Sequence, residues 1–184
     1  MEIKPGVLKR RREWTALARL ALVLAAALAI TNVGLPQPIT GPLVNALLLL
    51  TVEWCGVGQA IAVGMVTPLG AVLRGVLPLP LLAMIPFIAF GNAALASVYG
   101  ALRNRSRWTA LFAASVAKFA LLYGAVSLLS ARPLSLLIGS GAQAATIPDA
   151  FAAMMTWPQL ATALMGGLIA FGILGLRAWR QRED

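Results

Sequence analysis

The stretch that decides the fold runs from Pro36 to Asn92 and reads PQPITGPLVNALLLLTVEWCGVGQAIAVGMVTPLGAVLRGVLPLPLLAMIPFIAFGN. It is almost wholly apolar, yet prolines and glycines interrupt it. A few isolated polar side chains lie inside or at the edge of its apolar runs, namely Asn45, Gln59, Thr67, Arg74 and Asn92. Because lipid offers no hydrogen bonds, each of these groups in a bilayer needs an internal partner, a water-filled cavity or a ligand. We therefore expect this stretch to line a small-molecule site inside a helical membrane protein.

The composition of the whole chain supports that expectation. Of its 184 residues, 60% are hydrophobic and only 11% are charged, whereas a soluble domain is about 45–50% apolar. So few charges could not cover a soluble surface. The length suits a single bundle of about six helices with about 20 residues each. The sequence thus predicts an all-α membrane protein with six transmembrane helices.

The charge pattern predicts the orientation of the bundle. The net charge is +9, and basic residues cluster at the ends of apolar runs. This is the distribution of cytoplasmic loops in membrane proteins rather than of a nucleic-acid-binding face. We expect both termini to be cytoplasmic, a bilayer as the surroundings and no nucleic-acid partner. Only two basic residues are expected on the outer side, Arg74 and Arg132. The cytoplasmic side is expected to hold three clusters: Lys4 with Lys9 to Arg12; Arg103, Arg105 and Arg107; and Arg177, Arg180 and Arg182.

The predicted organisation is one domain with short basic ends. Residues 1–13 form a basic cytoplasmic segment, 14–179 the six-helix domain and 180–184 a cytoplasmic tail. The first apolar run is interpreted as a retained helix rather than a signal peptide, because it is long and lacks a good cleavage site. Outer loops are expected over 31–41 and 132–148, with a short amphipathic helix at 149–155. The six spans are predicted at about Trp14–Ile30, Pro42–Trp54, Val57–Leu73, Leu81–Leu102, Trp108–Leu129 and Pro158–Leu176.

The residue types present argue against catalysis. The chain has no histidine and a single cysteine, Cys55, which is expected to be a packing residue. Metal hydrolysis needs clustered His, Asp or Glu, and nucleophilic catalysis needs a base beside the nucleophile. No nucleotide-binding glycine loop with a following Lys-Ser or Lys-Thr is found. We expect no enzyme activity, no cofactor and no bound metal, so the remaining role is binding, with any power supplied by a partner.

Lys118 is the most unusual residue of the sequence, because it falls near the middle of the fifth predicted span. A lysine at the bilayer centre costs roughly 2.5–3.5 kcal/mol, which makes it a functional-site hypothesis by default. Glu53 is expected at the cytoplasmic surface as a solvated or interfacial acid, and Asp149 in an outer loop, so neither is an obvious partner. A bound anion, or carbonyl groups in a polar cavity, would satisfy the ammonium group.

These considerations predict a substrate-binding site. Arg74 and Lys118 would favour an anion or a carbonyl-rich ligand, while Asn45 and Asn92 would orient it and Tyr123 would stack on it. Simpler interpretations stay open for two of them. An arginine at a helix end can extend to lipid headgroups, and an asparagine in mid-membrane commonly forms a hydrogen bond between helices.

Small residues at four-residue spacing predict close helix contacts. Ala21, Ala25 and Ala29 share one face of the first span. That face is expected either to pack within the bundle or to dock against a separate membrane subunit. Two further sets of small residues are expected to pack within the bundle. One is Ala60, Gly64 and Pro68 in the third span, and the other is the pairs Ala163–Gly167 and Gly166–Ala170 in the sixth span.

The order of these features resembles the substrate-binding S component of energy-coupling-factor (ECF) vitamin transporters. The resemblance covers about residues 14–130. It rests on the alanine repeat of the first span, on PQPITGPLVNALLLL from Pro36 to Leu50, and on GMVTPLGAVLRGVLPLPLLAMIPFIAFGNA from Gly64 to Ala93. S components for nickel or cobalt would carry an amino-terminal histidine, and the sequence has none, so a metal substrate is not expected.

The resemblance implies a six-helix protein of a prokaryotic cell membrane that captures a scarce micronutrient from outside. It further implies a complex with a transmembrane coupling subunit and two cytosolic ATPases. Ala21, Ala25 and Ala29 would then dock on the coupling subunit. Two alternatives come from other classes of protein. The first is a non-catalytic assembly subunit of a membrane complex, in which Lys118 would pair with an acid of a partner. The second is a small membrane enzyme acting on lipid, for which the acid–base groups are missing.

Overall fold

The protein is described here by a computed structural model that covers residues 5–73, 82–131, 134–138, 141–145 and 147–181. Helices make up most of these residues, with one short antiparallel hairpin. The predicted helical class is therefore confirmed. The elements in chain order are α1 Pro5–Asn32, α2 Gln37–Trp54, α3 Val57–Leu73, α4 Ile85–Leu102, α5 Arg107–Ser130, β1 Leu134–Ile138, β2 Gly141–Ala145, α6 Asp149–Met154 and α7 Trp157–Arg180.

Four of the described helices are long and apolar enough to cross a membrane, which makes the chain a multi-pass membrane protein. The four stretches lie in α1, α4, α5 and α7, and α3 contributes a shorter apolar helix over Val57–Gly70. The predicted number of six spans is not confirmed. The physical reason lies in α2 and α3: α2 carries Gln37, Asn45 and Glu53 among its apolar residues, and the apolar part of α3 is short.

α2 differs from its prediction at its amino terminus. A loop was expected over 31–41 with the helix starting near Pro42, but the helix begins at Gln37. Pro36 precedes it in an extended conformation, and Pro38 lies in its first turn, where a missing backbone N–H removes no helical hydrogen bond. With 18 residues, α2 is about 27 Å long. It is also well enclosed, since nine of those residues are buried.

α1 is the opposite case, because it lies on the outside of the bundle. From Glu13 onward its buried residues are Val23 and Ala27, and these belong to the core that α2, α3, α4, α5 and α7 form. Ala21, Ala25 and Ala29 are all exposed. Of the two roles expected for this alanine face, packing within the bundle is therefore wrong for the single chain.

Small residues allow the inner helices to approach closely, as the sequence predicts. Ala60, Gly64 and Pro68 are buried on α3, and Ala163, Gly166, Gly167 and Ala170 are buried on α7. A Cβ atom placed on Gly166 would lie 2.6 Å from the Cβ atom of Asn45 and 2.7 Å from the carbonyl oxygen of Pro42. Glycine at this position is therefore what brings α7 against α2.

A second, smaller hydrophobic cluster lies at the end of the bundle opposite to the one that carries Arg103, Arg105 and Arg107. Met84, Leu122 and Val126 pack there with Ile147 and Met155, which flank α6. The predicted short helix at 149–155 is thus confirmed, with Met154 as its last residue. The connection before it contains a β-hairpin that the sequence analysis did not predict, paired from Leu134 with Ala145 to Ile138 with Gly141.

Candidate ligand site around Lys118

Lys118 lies near the middle of α5, eleven residues after its first residue Arg107 and twelve before its last residue Ser130. At 1.5 Å per residue, either end of the helix is about 17 Å away. The side chain is only 4% exposed. The ammonium group is therefore enclosed at the depth where a bilayer would be driest, and it needs polar partners inside the protein.

Two amide side chains provide those partners. The Lys118 Nζ donates to Asn45 Oδ1 at 2.6 Å and to Asn92 Oδ1 at 2.8 Å. Both asparagines are buried, at 1% and 3% exposure. Hydrogen bonds with a charged donor are shorter and stronger than neutral ones. The two amide oxygens therefore stabilise the ammonium, which forms no ion pair with any carboxylate of the described residues.

Asn92 extends the cluster to α3. Its Nδ2 donates to the carbonyl oxygen of Gly64 at 3.1 Å and to Thr67 Oγ1 at 3.0 Å. The Thr67 hydroxyl in turn donates to the same Gly64 carbonyl at 3.0 Å. Asn92 thus uses its carbonyl for Lys118 and its amino group for α3, which fixes the orientation of the amide.

Close helix packing allows these contacts to form. A Cβ atom on Gly64 would lie 2.9 Å from the Cβ atom of Asn92. Glycine therefore lets α4 approach α3 closely enough for the Asn92 amide to reach the backbone carbonyl. Gly166 acts in the same way behind Asn45, on the side of α7. Both asparagines that hold Lys118 are thus seated against a glycine.

The cluster is not saturated. Two of its neighbouring buried polar atoms, Asn45 Nδ2 and Ser115 Oγ, have no hydrogen-bond partner in the described structure. An ammonium group has three donors, and two of the donors of Lys118 are occupied by the amide oxygens. Leaving a buried polar group without a partner costs about 1–3 kcal/mol. What remains open around Lys118 is therefore mainly hydrogen-bond donors, which an anion or a carbonyl oxygen could accept.

The structure brings together three of the five predicted ligand-binding residues, Asn45, Asn92 and Lys118. Tyr123 is not among them, since it is 50% exposed and stacks on Phe119 with ring centroids 5.6 Å apart. Arg74 lies outside the described residues. For Asn92, the simpler interpretation as a hydrogen bond between helices is confirmed.

Two buried polar residues of this region, Thr67 and Ser115, were not predicted to bind the ligand. Thr67 lies one turn from Gly64 on α3, and its hydroxyl accepts from Asn92. Ser115 precedes Lys118 by three residues and shares its buried face. The signal that could have found Ser115 is this spacing, because residues three apart on a helix are neighbours.

A second polar cluster lies at the arginine-rich end and corrects the expectation for Glu53. Its side chain is only 12% exposed and forms ion pairs with Arg103 at 3.2 Å and Arg107 at 3.7 Å. The hydroxyl of the buried Tyr99 donates to Glu53 Oε1 at 2.7 Å, and Arg103 also donates to the carbonyl oxygen of Val52 at 3.0 Å. Glu53 is therefore a tie between α2, α4 and α5 rather than a solvated acid.

Comparison with known proteins adds no relative. No family model matches the chain, and no curated protein or solved structure is significantly similar to it. Within the described residues, no group of three or more His, Cys, Asp and Glu side chains could hold a metal ion. The residues around Lys118 and the surfaces of the bundle are therefore the features that bear on function.

Proposed function

We propose that this protein is the substrate-binding S component of an ECF-type importer. In this role it captures a small organic micronutrient, such as a vitamin or cofactor precursor that carries a carboxylate or several carbonyl groups. It has no catalytic activity, and transport is powered by two cytosolic ATPases through a transmembrane coupling subunit. The protein resides in the plasma membrane with both termini in the cytoplasm.

The observation that carries this proposal is the unsaturated cluster around Lys118. An enclosed ammonium beside two polar groups without partners is expensive in a membrane, and a purely structural cluster would gain by replacing these groups with apolar ones. A ligand carboxylate accounts for the arrangement, because it would accept from Lys118, from Asn45 Nδ2 and from Ser115 Oγ together. A carboxylate is an acceptor only, with two oxygen atoms.

The surface of α1 supports the part of the proposal that concerns the coupling subunit. Ala21, Ala25 and Ala29 present an exposed face of small side chains, which allows another transmembrane helix to approach closely. The helix is attached to its own bundle through few buried residues. It can therefore receive a partner on its outer face without disturbing the core.

The distribution of arginines supports the proposed orientation. Arg103, Arg105 and Arg107 gather at the connection between α4 and α5, and α7 ends at Arg180. Tryptophans lie near the same helix ends: Trp54 at the end of α2 and the exposed Trp108 at the start of α5. Arginines flanked by interfacial aromatic residues are typical of a cytoplasmic membrane face.

The test is native mass spectrometry of the detergent-purified full chain with identification of any small molecule that it retains. We expect one vitamin-like anion or carbonyl-rich compound per chain. The Lys118→Met variant should lose it, while Ser127→Ala, an exposed change on the same helix, should retain it. The proposal would be refuted if Lys118→Met retained the compound. It would also be refuted if the wild-type chain, reconstituted with candidate vitamins, bound none of them.

The alternative is a non-catalytic assembly subunit, and the exposed alanine face of α1 favours it equally. Under that alternative Lys118 would pair with an acid of a partner protein. Lys118 is only 4% exposed and contacts two amides of its own chain, so pairing with a partner's acid, like binding of a ligand, requires the surrounding helices to open. Recovery of the chain with another membrane subunit and without any ligand would favour the alternative.

A further inference from the structure

A groove at the arginine-rich end of the bundle is independent of the Lys118 site. It has a volume of about 380 Å³ and lies between α1, the last residues of α2 and the last turn of α7. Arg19 of α1 and Arg177 of α7 line it from two sides. Both arginines are exposed, so the groove opens to the surface of the protein.

The groove carries a net positive charge. Among the described residues, no acid forms an ion pair with Arg19 or Arg177. The acid that lines the groove, Glu53, already forms ion pairs with Arg103 and Arg107. Two guanidinium groups therefore line the groove without an ion pair of their own, and guanidinium groups are well suited to bind phosphate oxygens.

The depth of these arginines in the membrane limits what can bind them. Arg19 lies within the membrane-spanning stretch Glu13–Asn32, six residues from its start, which is about 9 Å along the helix. Arg177 lies three residues before the end of the stretch Ala152–Arg180. Charged side chains near the ends of a span extend to the level of the lipid headgroups. At that level of the membrane, the anion that can enter the groove from outside the protein is a lipid phosphate.

The rest of the groove is suited to the remainder of a lipid. Val23, which is buried, and Leu22, which is 72% exposed, line it with apolar side chains of α1. The guanidinium carbon of Arg177 lies 5.9 Å from the centre of the Trp54 ring, which holds the side chain over the groove through a cation–π contact. A charged rim thus continues into an apolar surface, as a phospholipid requires and a soluble anion does not.

We propose that this groove binds one anionic phospholipid, with its phosphate between Arg19 and Arg177 and an acyl chain along Leu22 of α1. Basic pockets between transmembrane helices on the cytoplasmic side are known to accept such headgroups. The bound lipid would join α1 to α2 and α7 at an end where α1 has few protein contacts of its own.

The experiment measures lipid binding to the full chain by native mass spectrometry in detergent. The protein is titrated with palmitoyl-oleoyl phosphatidylglycerol and, separately, with the phosphatidylcholine of the same acyl chains. We expect one phosphatidylglycerol per chain to bind more tightly than phosphatidylcholine. The variant Arg19→Gln/Arg177→Gln should bind phosphatidylglycerol about thirtyfold more weakly, since each basic residue near an anionic headgroup contributes a factor of about five.

Two controls separate a site from general charge attraction. Arg105→Gln/Arg180→Gln removes the same charge from exposed positions that do not line the groove and should leave the affinity unchanged. Arg19→Lys/Arg177→Lys should restore most of it, which also excludes misfolding as the cause of the loss. Equal weakening in both glutamine variants, or equal affinity of the wild type for the two lipids, would overturn the proposal. Neither result depends on whether a ligand occupies the Lys118 cluster.

Discussion

Replacing Asn92 by leucine should destabilise the bundle more than replacing Lys118 by methionine. Asn92 makes three hydrogen bonds to other helices, two donated to Gly64 and Thr67 and one accepted from Lys118. Its loss removes all three and leaves the ammonium with Asn45 alone. Lys118→Met instead removes the charge together with its two hydrogen bonds, so that no ammonium is left in the bilayer.

The magnitudes follow from these contacts. Two neutral hydrogen bonds in a membrane contribute about 0.6 kcal/mol each, and one with a charged donor about 1.5–3 kcal/mol, so Asn92→Leu should cost about 3–4 kcal/mol. Lys118→Met loses two charged hydrogen bonds but recovers about 2.5–3.5 kcal/mol of insertion cost. Its net effect should be about 1–2 kcal/mol.

A double-mutant cycle measures the coupling between the two residues. Reversible unfolding of the four variants by sodium dodecyl sulfate can be followed in mixed micelles through the fluorescence of the five tryptophans. In the Lys118→Met background, Asn92→Leu should cost only about 1 kcal/mol, because just the two neutral bonds remain to be lost. An equal cost of Asn92→Leu in both backgrounds would refute the proposed contact.

Two further predictions concern packing and charge. Gly166→Ala should lower the unfolding free energy by about 1–3 kcal/mol, because the added methyl group crowds Asn45. Gly172→Ala is the control: its methyl group would meet no atom within 4 Å, so the unfolding free energy should stay unchanged or rise. Equal effects of the two variants in a thermal unfolding assay would contradict this prediction. Glu53→Gln should lower the unfolding free energy by about 1 kcal/mol, because its ion pairs are lost, and the loss should be smaller in high salt. Glu13→Gln, at an exposed position, is the control and should have no effect in the same assay.

The sequence predicted the core of the site because isolated polar residues stand out in apolar helices. Asn45, Asn92 and Lys118 each cost free energy in lipid, and the structure places them within hydrogen-bonding distance. Tyr123 was grouped with Lys118 because it lies five residues further along. At 100° per residue, however, a five-residue step turns the side chain about 140° away from Lys118, and Tyr123 is accordingly exposed.

Two other differences have separate causes, one local and one long-range. Pro38 was interpreted as loop and Pro42 as the helix start, but the first turn of a helix tolerates proline, so α2 begins at Gln37 with Pro38 in that turn and Pro42 inside the helix. Glu53 was expected to be a solvated or interfacial acid without ion pairs, whereas its partners Tyr99 and Arg103 lie more than 40 residues away in the sequence. No local pattern indicates contacts at such a separation.

The arrangement of the Lys118 cluster has a consequence for the order in which the chain enters the membrane. Asn45 and Asn92 belong to α2 and α4, which leave the ribosome before the lysine of α5. The amides can therefore already be in the bilayer when the ammonium arrives, and the insertion cost of about 2.5–3.5 kcal/mol need not be borne by α5 alone. A chain rearranged so that α5 is synthesised first should insert this helix poorly, since its charge would meet lipid before it meets its partners.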